Sequence, residues 1–429
     1  MRNALRPINT PLLPVAILLS VAIAVIRLLA PDERRVPDGQ WTEAVVASVP
    51  ADKPKTLQVF LLLTETGERR RCYFWKDERS LQLRAGDNLK VRISDGMFVR
   101  YDGWQRGGDG WNNISHLQRL RIKALVLRNR LLQRLQVDDD DEAQALIAAM
   151  VLGDKSALTP ELRSRFNTTG AAHVLALSGL HLSIIYLLLT RLTLARRRTW
   201  LSQGLIILAV WAYALLTGLP TSLIRAATMI TVYALFSLRG GRRAPLNVLC
   251  FTAIVMLLVD SSALFDIGFQ LSFMSMLAIL LFMPLMENRV SARWRMEHRI
   301  VSWLLTLAMI SVAAQIGTAP LIAYYFGRLS PWFLVTNLVV VPLVTLILYS
   351  ALTAFVFPPI ATIAVGIAHL MNEALDAIST WPLASIEGLH PSVLQVAMCY
   401  VVVAAVYVLL TYSRASAGYR RGWPPPSKG

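Results

Sequence analysis

The chain has 429 residues, 55% of them hydrophobic and 16% charged, with a mean hydropathy of +0.49. A soluble globular protein carries about a quarter charged residues, so this composition excludes that class and indicates a polytopic membrane protein. The formal charge of +16 then becomes a question of where the cations sit, because topology and polyanion binding both collect them.

Arg2 and Arg6 precede an apolar segment, Pro11 to Ala30. At ~1.5 Å per residue its length suffices to cross a bilayer. The following LLAPDERR has no small-residue cleavage pattern, so residues 1–31 read as a retained first transmembrane helix, with Arg27 free to snorkel to the interface.

Residues 32–115 are different material. Short alternating runs begin at Trp41 (WTEAVVASV), Thr56 (TLQVFLLL), Arg70 (RRCYFW) and Asn88 (NLKVRI), with ETG and AGD between them. This spacing predicts a small external β-domain, either an OB-like barrel or a sandwich. RYDGWQRGGDGWNN, from Arg100, reads as a Gly-rich loop carrying Trp104 and Trp111.

Residues 116–137 place Leu, Ile and Val at three- and four-residue steps among Arg119, Arg121, Lys123, Arg128, Arg130 and Arg134. This is a basic amphipathic helix, suited equally to a membrane surface or to packing on the β-domain. From Asp32 to Gln136 there are 20 Lys plus Arg against 13 Asp plus Glu, a basic balance that attracts either a polyanion or anionic headgroups. The acidic run Asp138 to Glu142 suits the N-terminus of the apolar helix after it. Cys72, Cys250 and Cys399 are isolated and read as free thiols.

Residues 138–412 read as the transmembrane domain, almost all of it membrane from Ala172 onward. Spans are expected at Ala172–Thr190, Trp200–Thr217, Thr221–Leu238, Leu246–Asp260, Ala263–Met283, Ile300–Phe326, Phe333–Phe357, Pro359–Thr380 and Pro391–Tyr412. With the first segment, this predicts an α-helical bundle of about ten transmembrane helices, with the β-domain between the first and second. Alternate loops hold four basic residues in 191–198, three in 239–243, four in 289–299 and four in 414–428, against Arg328 alone in the short loops opposite. The positive-inside rule puts both termini and the basic tail, residues 413–429, in the cytoplasm, and the β-domain outside.

Several polar motifs interrupt the apolar runs. TGAAHVLALSGLHLS, from Thr169, contains Gly170, His173, Ser178, Gly179 and His181. GLPTSLIRA sinks Arg225 about one turn past Pro220, and FDIGFQLSF sets Asp266 one turn from Gln270. AQIGTAP supplies Gln315 and a helix-breaking Gly-Thr-Ala-Pro ending at Pro320; FGRLSP and TNLVVVP supply Arg328, Asn337 and Pro342. Polar groups at membrane depth line water, pair with one another or stay buried in protein. His173, Ser178 and His181 could share a helical stripe, Arg225 could pair with Asp266 or Asp260, Gly170 could permit close helix approach, and Pro220, Pro320 and Pro342 could start or kink helices.

In this order, from about Leu152 to Pro342, these motifs resemble the ComEC family of bacterial competence proteins. The resemblance implies an inner-membrane channel for single-stranded DNA taken up during transformation. Pore or substrate contacts are then expected at His173, Ser178, Gly179, His181, Arg225, Asp266, Gln270, Gln315, Arg328 and Asn337. External DNA contacts are expected at Trp104, Trp111, Arg119, Arg121 and Lys123. The implied partners are single-stranded DNA, membrane lipids, a DNA receptor, a helicase, a separate nuclease and further copies of the chain.

Family members commonly carry a C-terminal metallo-β-lactamase-like domain. Here the six histidines are scattered, with no H-x-H-x-D-H cluster and no G-x-x-x-x-G-K-[ST] loop. The expectation is a short, non-enzymatic member with no metal and no cofactor. Two other readings stay open: a transporter or flippase for an anionic lipid or polymer, and an intramembrane hydrolase built on Ser178 and His181.

Overall fold

The computed structural model describes residues 40–421 except 49, 53–54, 95–96, 136–141, 193–199, 239–244 and 289. The first expected span, the aspartates of the acidic run, the tail beyond 421 and much of two basic loops lie outside the described residues.

The soluble part is built from β1 (Trp41–Val46), β2 (Thr56–Leu63), β3 (Arg69–Trp75), β4 (Asn88–Ser94) and β5 (Phe98–Arg106). Leu57, Val59, Leu61, Cys72, Phe74, Leu89 and Val91 alternate inward and form one buried core, as a two-residue side-chain period dictates. β1 pairs antiparallel with both β2 and β4, β2 with β3, and β4 with β5, while β3 and β5 run parallel. These five strands therefore form a closed ring, with a sixth two-residue strand, Ala51–Asp52, paired to β2 alone.

β5 corrects the sequence reading, which made this stretch a loop. Gly103 and Asp102 disguise the alternation, and the register shifts between Val91 and Ile93, the mark of a bulge.

The amphipathic helix is α1 (His116–Leu135). It precedes two short helices, α2 (Glu142–Leu152) and α3 (Pro160–Thr168). α2 is buried along almost its whole length in the bundle core. At ~1.5 Å per residue it is too short to cross a bilayer.

The bundle continues with α4 (Gly179–Leu192), α5 (Trp200–Leu216), α6 (Thr221–Leu238), α7 (Pro245–Val259), α8 (Ile267–Glu287), α9 (Arg299–Phe326), α10 (Phe333–Ala354), α11 (Ala361–Ser379) and α12 (Val393–Arg421). Four of these, α8, α9, α10 and α12, are long and apolar enough to cross a membrane. α4, α5, α7 and the Thr221–Phe236 part of α6 are apolar but shorter, at 10–17 residues.

Two expected spans change character. Ala172–Thr190 splits into a single turn, Ala172–Leu175, and α4, because Ala176 is extended and Ser178 restarts the helix. α11 carries His369, Asn372, Glu373 and Asp376, and is not among the helices apolar enough to span. Its small buried face, Ala361, Ala364, Ala368 and Met371, packs into the core.

Pro320 does not break its helix: α9 runs through it, as α10 runs through Pro342. One turn before Pro320, the Gly317 carbonyl accepts the Tyr400 hydroxyl at 2.8 Å. Neighbouring groups of this kind make a proline tolerable inside a membrane helix.

Candidate functional site

The polar motifs meet at the end of the bundle that faces the barrel. α1 is the strut between the two. Ile122 packs with Val45, Ala47 and Leu62 of the barrel, while Leu131, Leu132 and Leu135 pack into the bundle core. Arg121 donates to the Gly218 carbonyl at 2.8 Å, and Arg128 approaches Asp154 at 4.0 Å. Burial pushes both guanidinium groups below their ordinary pKa, with Asp154 opposing the shift at Arg128.

From there a seam of polar contacts crosses the helix ends. The Ser222 hydroxyl donates to the Leu177 carbonyl, joining the starts of α6 and α4. Ser178 stands immediately before α4: its backbone N–H donates to His181 Nδ1 at 3.3 Å, and its Oγ lies 3.0 Å from the same nitrogen. This is one arm of a capping box, with histidine in the glutamate position, while the Ser178 hydroxyl turns to the imidazole and not to a backbone N–H. With Nδ1 accepting, the neutral ring carries its proton on Nε2, which is buried without a hydrogen-bond partner among the described residues.

His173 is exposed, and its Nδ1 donates to the Gly170 carbonyl at 3.3 Å. Gly170, at φ +81°, lets this turn press on α10: a Cβ there would stand 3.1 Å from Ser330 Cβ. Gly179 meets Ala226 at ordinary van der Waals distance.

The next link is ionic. Arg225, 4% exposed, reaches Asp266 Oδ1 at 3.4 Å. The same carboxylate oxygen caps α8 by accepting the Phe269 N–H at 2.7 Å, and the Asp266 side chain is 47% exposed. The cation is thus enclosed, while its partner stands at the open side. Gln270 donates to the Leu264 carbonyl and accepts the Tyr325 hydroxyl at 2.7 Å, which ties α8 to the end of α9.

Arg328 lies in β6 (Arg328–Leu329), paired with β7 (Ile386–Glu387), with Glu387 directly opposite it. Ser330 donates to the Ala384 carbonyl, and Asn337 is half-buried one turn into α10. Pro220 starts α6 as expected, its carbonyl accepting from Leu223 and Ile224. Gln315 stands apart: it is half-buried on α9 eleven residues before Phe326, roughly 16 Å deeper at 1.5 Å per residue.

α4, α6, α8, α10 and α12 all begin at this end, so their positive dipole ends converge there with Arg225 and Arg328. Asp266 and Glu387 stand beside these two cations, so the unmatched positive potential at this end comes from the helix N-termini.

The barrel sites need correction. Trp104 is 3% exposed, points inward and packs edge-on against Phe74 at 5.6 Å. Trp111 is half-buried against the cluster around Ile122. Arg119 is bonded to the Asn112 carbonyl and Arg121 to that of Gly218; among the five expected external contacts Lys123 is the one classed as exposed. Alternation along β5 turns Trp104 to the core.

The exposed aromatics lie elsewhere. Trp75 stacks with Tyr101 at 6.4 Å, and Tyr73 lies against Phe98 at 5.6 Å. On the same outward face Arg69 and Arg71 sit over Phe60 at 4.5 and 5.4 Å. Burial, and then the charge of Arg121, bring the Arg69 guanidinium down to about 10, still cationic at neutral pH. The odd positions of RRRCYFW carry this signal: Arg69, Arg71, Tyr73 and Trp75 share one face.

Fold and site together define a membrane protein that gathers polar and cationic groups at one end of its helices, beneath a soluble β-barrel. The chain belongs to the Competence protein family, whose pattern it matches over residues 150–412. It is 26% identical over 289 residues to ComE operon protein 3 of Bacillus subtilis, covering 66% of this chain and 35% of that protein. It is 25% identical over 248 residues to the competence protein ComA of Neisseria gonorrhoeae, covering 53% and 33% respectively. An uncharacterised protein of Aquifex aeolicus is 29% identical over 310 residues, 70% of each chain. The chain thus spans about a third of the length of the two competence proteins it matches. No solved structure matches it.

Proposed function

We propose that this chain forms an inner-membrane conduit for single-stranded DNA during competence and performs no chemistry of its own. The observation that carries the proposal is the polar seam from Ser178 and His181 through Arg225–Asp266 to Arg328, which falls inside the family match. A strand bearing one phosphate per nucleotide needs scattered cations and neutral donors along a wet path. The seam and the converging helix N-termini supply them.

In this reading α11, though less apolar, returns the chain from the far end of α10 to the start of α12 and counts among about ten spans of the inner membrane; both termini are cytoplasmic and the barrel is external. The ring order of the five strands supports an OB-type barrel, a fold that binds oligonucleotides on its second and third strands. Those are β2 and β3, the strands of the Arg69–Trp75 stripe. A DNA receptor delivers the strand, and a helicase and a separate nuclease act on it; further copies of the chain complete the assembly.

The Ser178–His181 contact is read as holding the start of α4 and not as a nucleophile and base, because His181 Nε2, where a third group would orient a catalytic base, has no hydrogen-bond partner among the described residues. The channel reading is tested by uptake of labelled single strands into proteoliposomes. The barrel reading is tested by Trp75→Ala with Tyr101→Ala, expected to weaken oligonucleotide binding about tenfold or more, since stacking contributes ~1–3 kcal/mol per base. Unchanged affinity removes the barrel from the DNA path.

A further inference from the structure

The outward face of α1 is unaccounted for by either domain. Leu117 is 78% exposed, and Leu120 and Leu127 are each 50% exposed. Lys123, Arg130 and Arg134 are exposed beside them. Three exposed leucines on one helix face are costly in water and call for a cover.

The helical wheel indicates what that cover is. At ~100° per residue, Ile122 faces the barrel, while Arg121, Leu125, Arg128 and Leu132 face the bundle. Leu120 and Leu127 occupy the next sector round, beside Leu131, which packs on the bundle; Leu117, in the first turn, lies between them and the bundle side, and the three cations follow Leu127 by about 20–60°. Arg121 bonds the Gly218 carbonyl between α5 and α6, which puts the first half of the helix at the level of the helix ends, and Leu135 at its other end is packed in the bundle core. Next to the bundle at that level is lipid. Moving around α1, the sequence of environments is barrel, bundle, leucines and cations.

We infer that α1 is an interfacial helix: its leucines enter the outer edge of the bilayer beside the bundle, and Lys123, Arg130 and Arg134 bind anionic phospholipid headgroups. A face made to bind DNA would not set leucines between its cations and the bundle. A surface helix with leucines toward the acyl chains and cations toward the headgroups has this order. The barrel is thereby held at a fixed height and tilt over the helix ends, with Arg121 and Ile122 as its other two anchors. The inference depends on the bundle being in a membrane and not on the cargo.

Spin labels test it in the full chain. Cys250→Ala and Cys399→Ala remove the other two thiols, and Cys72 is shielded, its thiol pushed up to about 12 by burial. Labels at Leu120→Cys and Leu127→Cys are expected to meet oxygen several-fold more, relative to a water-soluble nickel chelate, than a label at Leu81→Cys on the barrel. The contrast should be larger in vesicles of phosphatidylglycerol and phosphatidylcholine than in phosphatidylcholine alone. Lys123→Glu, Arg130→Glu and Arg134→Glu together should abolish that lipid dependence while the Leu81 label is unchanged. Labels at 120 and 127 as nickel-accessible as the one at 81 in both vesicles would overturn the inference. Protection that comes only with added single-stranded oligonucleotide would overturn it in favour of a DNA surface.

Discussion

Arg225→Ala should cut the flux of single-stranded DNA through the reconstituted protein roughly ten- to a hundredfold without unfolding it. A charge-assisted hydrogen bond contributes ~1.5–3 kcal/mol, which sets the size of the loss. The fold should survive because Asp266, with its side chain 47% exposed and still bonded to the Phe269 N–H, is not left as a buried unpaired charge. The reverse change behaves differently. Asp266→Ala removes the ion partner of the enclosed Arg225 and the cap of α8 together. Stranding a buried charge costs ~3–5 kcal/mol, and losing a cap about 1 kcal/mol more. Flux measured alongside thermal unfolding in detergent separates the two: Arg225→Ala loses transport at near-normal stability, and Asp266→Ala loses stability first. Equal instability in both would make the pair purely structural.

Gly317→Ala should be the most damaging single-methyl change in the bundle. Its new Cβ would overlap the Met274 carbonyl and stand 2.7 Å from Ala278 Cβ, where α8 and α9 are in closest approach. Ala313 lies one turn away on the same face, so the seam is a small-xxx-small contact of the kind that lets membrane helices touch. Neither backbone can yield without moving a helix, and overpacking of this sort costs ~1–3 kcal/mol. The Tyr400 bond to the Gly317 carbonyl would loosen with it, which weakens the hold on α12. Gly366→Ala is the control: a Cβ there meets nothing within 4 Å. It should leave the unfolding temperature unchanged or raise it, because alanine favours helix by up to about 1 kcal/mol over glycine. If both substitutions behave alike, the close packing at Gly317 is not what holds α8 to α9.

The parts of this architecture that could be read from the chain are those set by local periodicity. Four of the five ring strands fall on runs with β periodicity, and the spans expected at Ile300–Phe326 and Phe333–Phe357 fall on α9 and α10. β5 does not, because Gly103 and Asp102 interrupt its pattern while cross-strand pairing to β4 and β3 holds it extended. Pro320 and Gly317 looked like a break. The helix nevertheless runs through both, and Tyr400 of α12 bonds the Gly317 carbonyl there, a tertiary contact that no local rule contains.

The same division runs through the site. Arg225 with Asp266 could be anticipated, as two opposite charges in apolar surroundings must find each other. The direction of Trp104 could not, since it depends on the register of β5. The spacing of Ser178 and His181 foretold that the two would meet, and they do so at the start of α4, where the sequence alone did not show the restart of the helix.

The conduit reading stands or falls on transport in a defined system. The purified chain, reconstituted into vesicles loaded with a nuclease, is offered fluorescently labelled single strands under a gradient directed inward. The account predicts time-dependent entry and degradation of the strand, reduced at least tenfold by Arg225→Ala and unaffected by Ser178→Ala. No entry above protein-free vesicles, together with transfer of a labelled anionic lipid between leaflets, would contradict it and make this chain a lipid transporter.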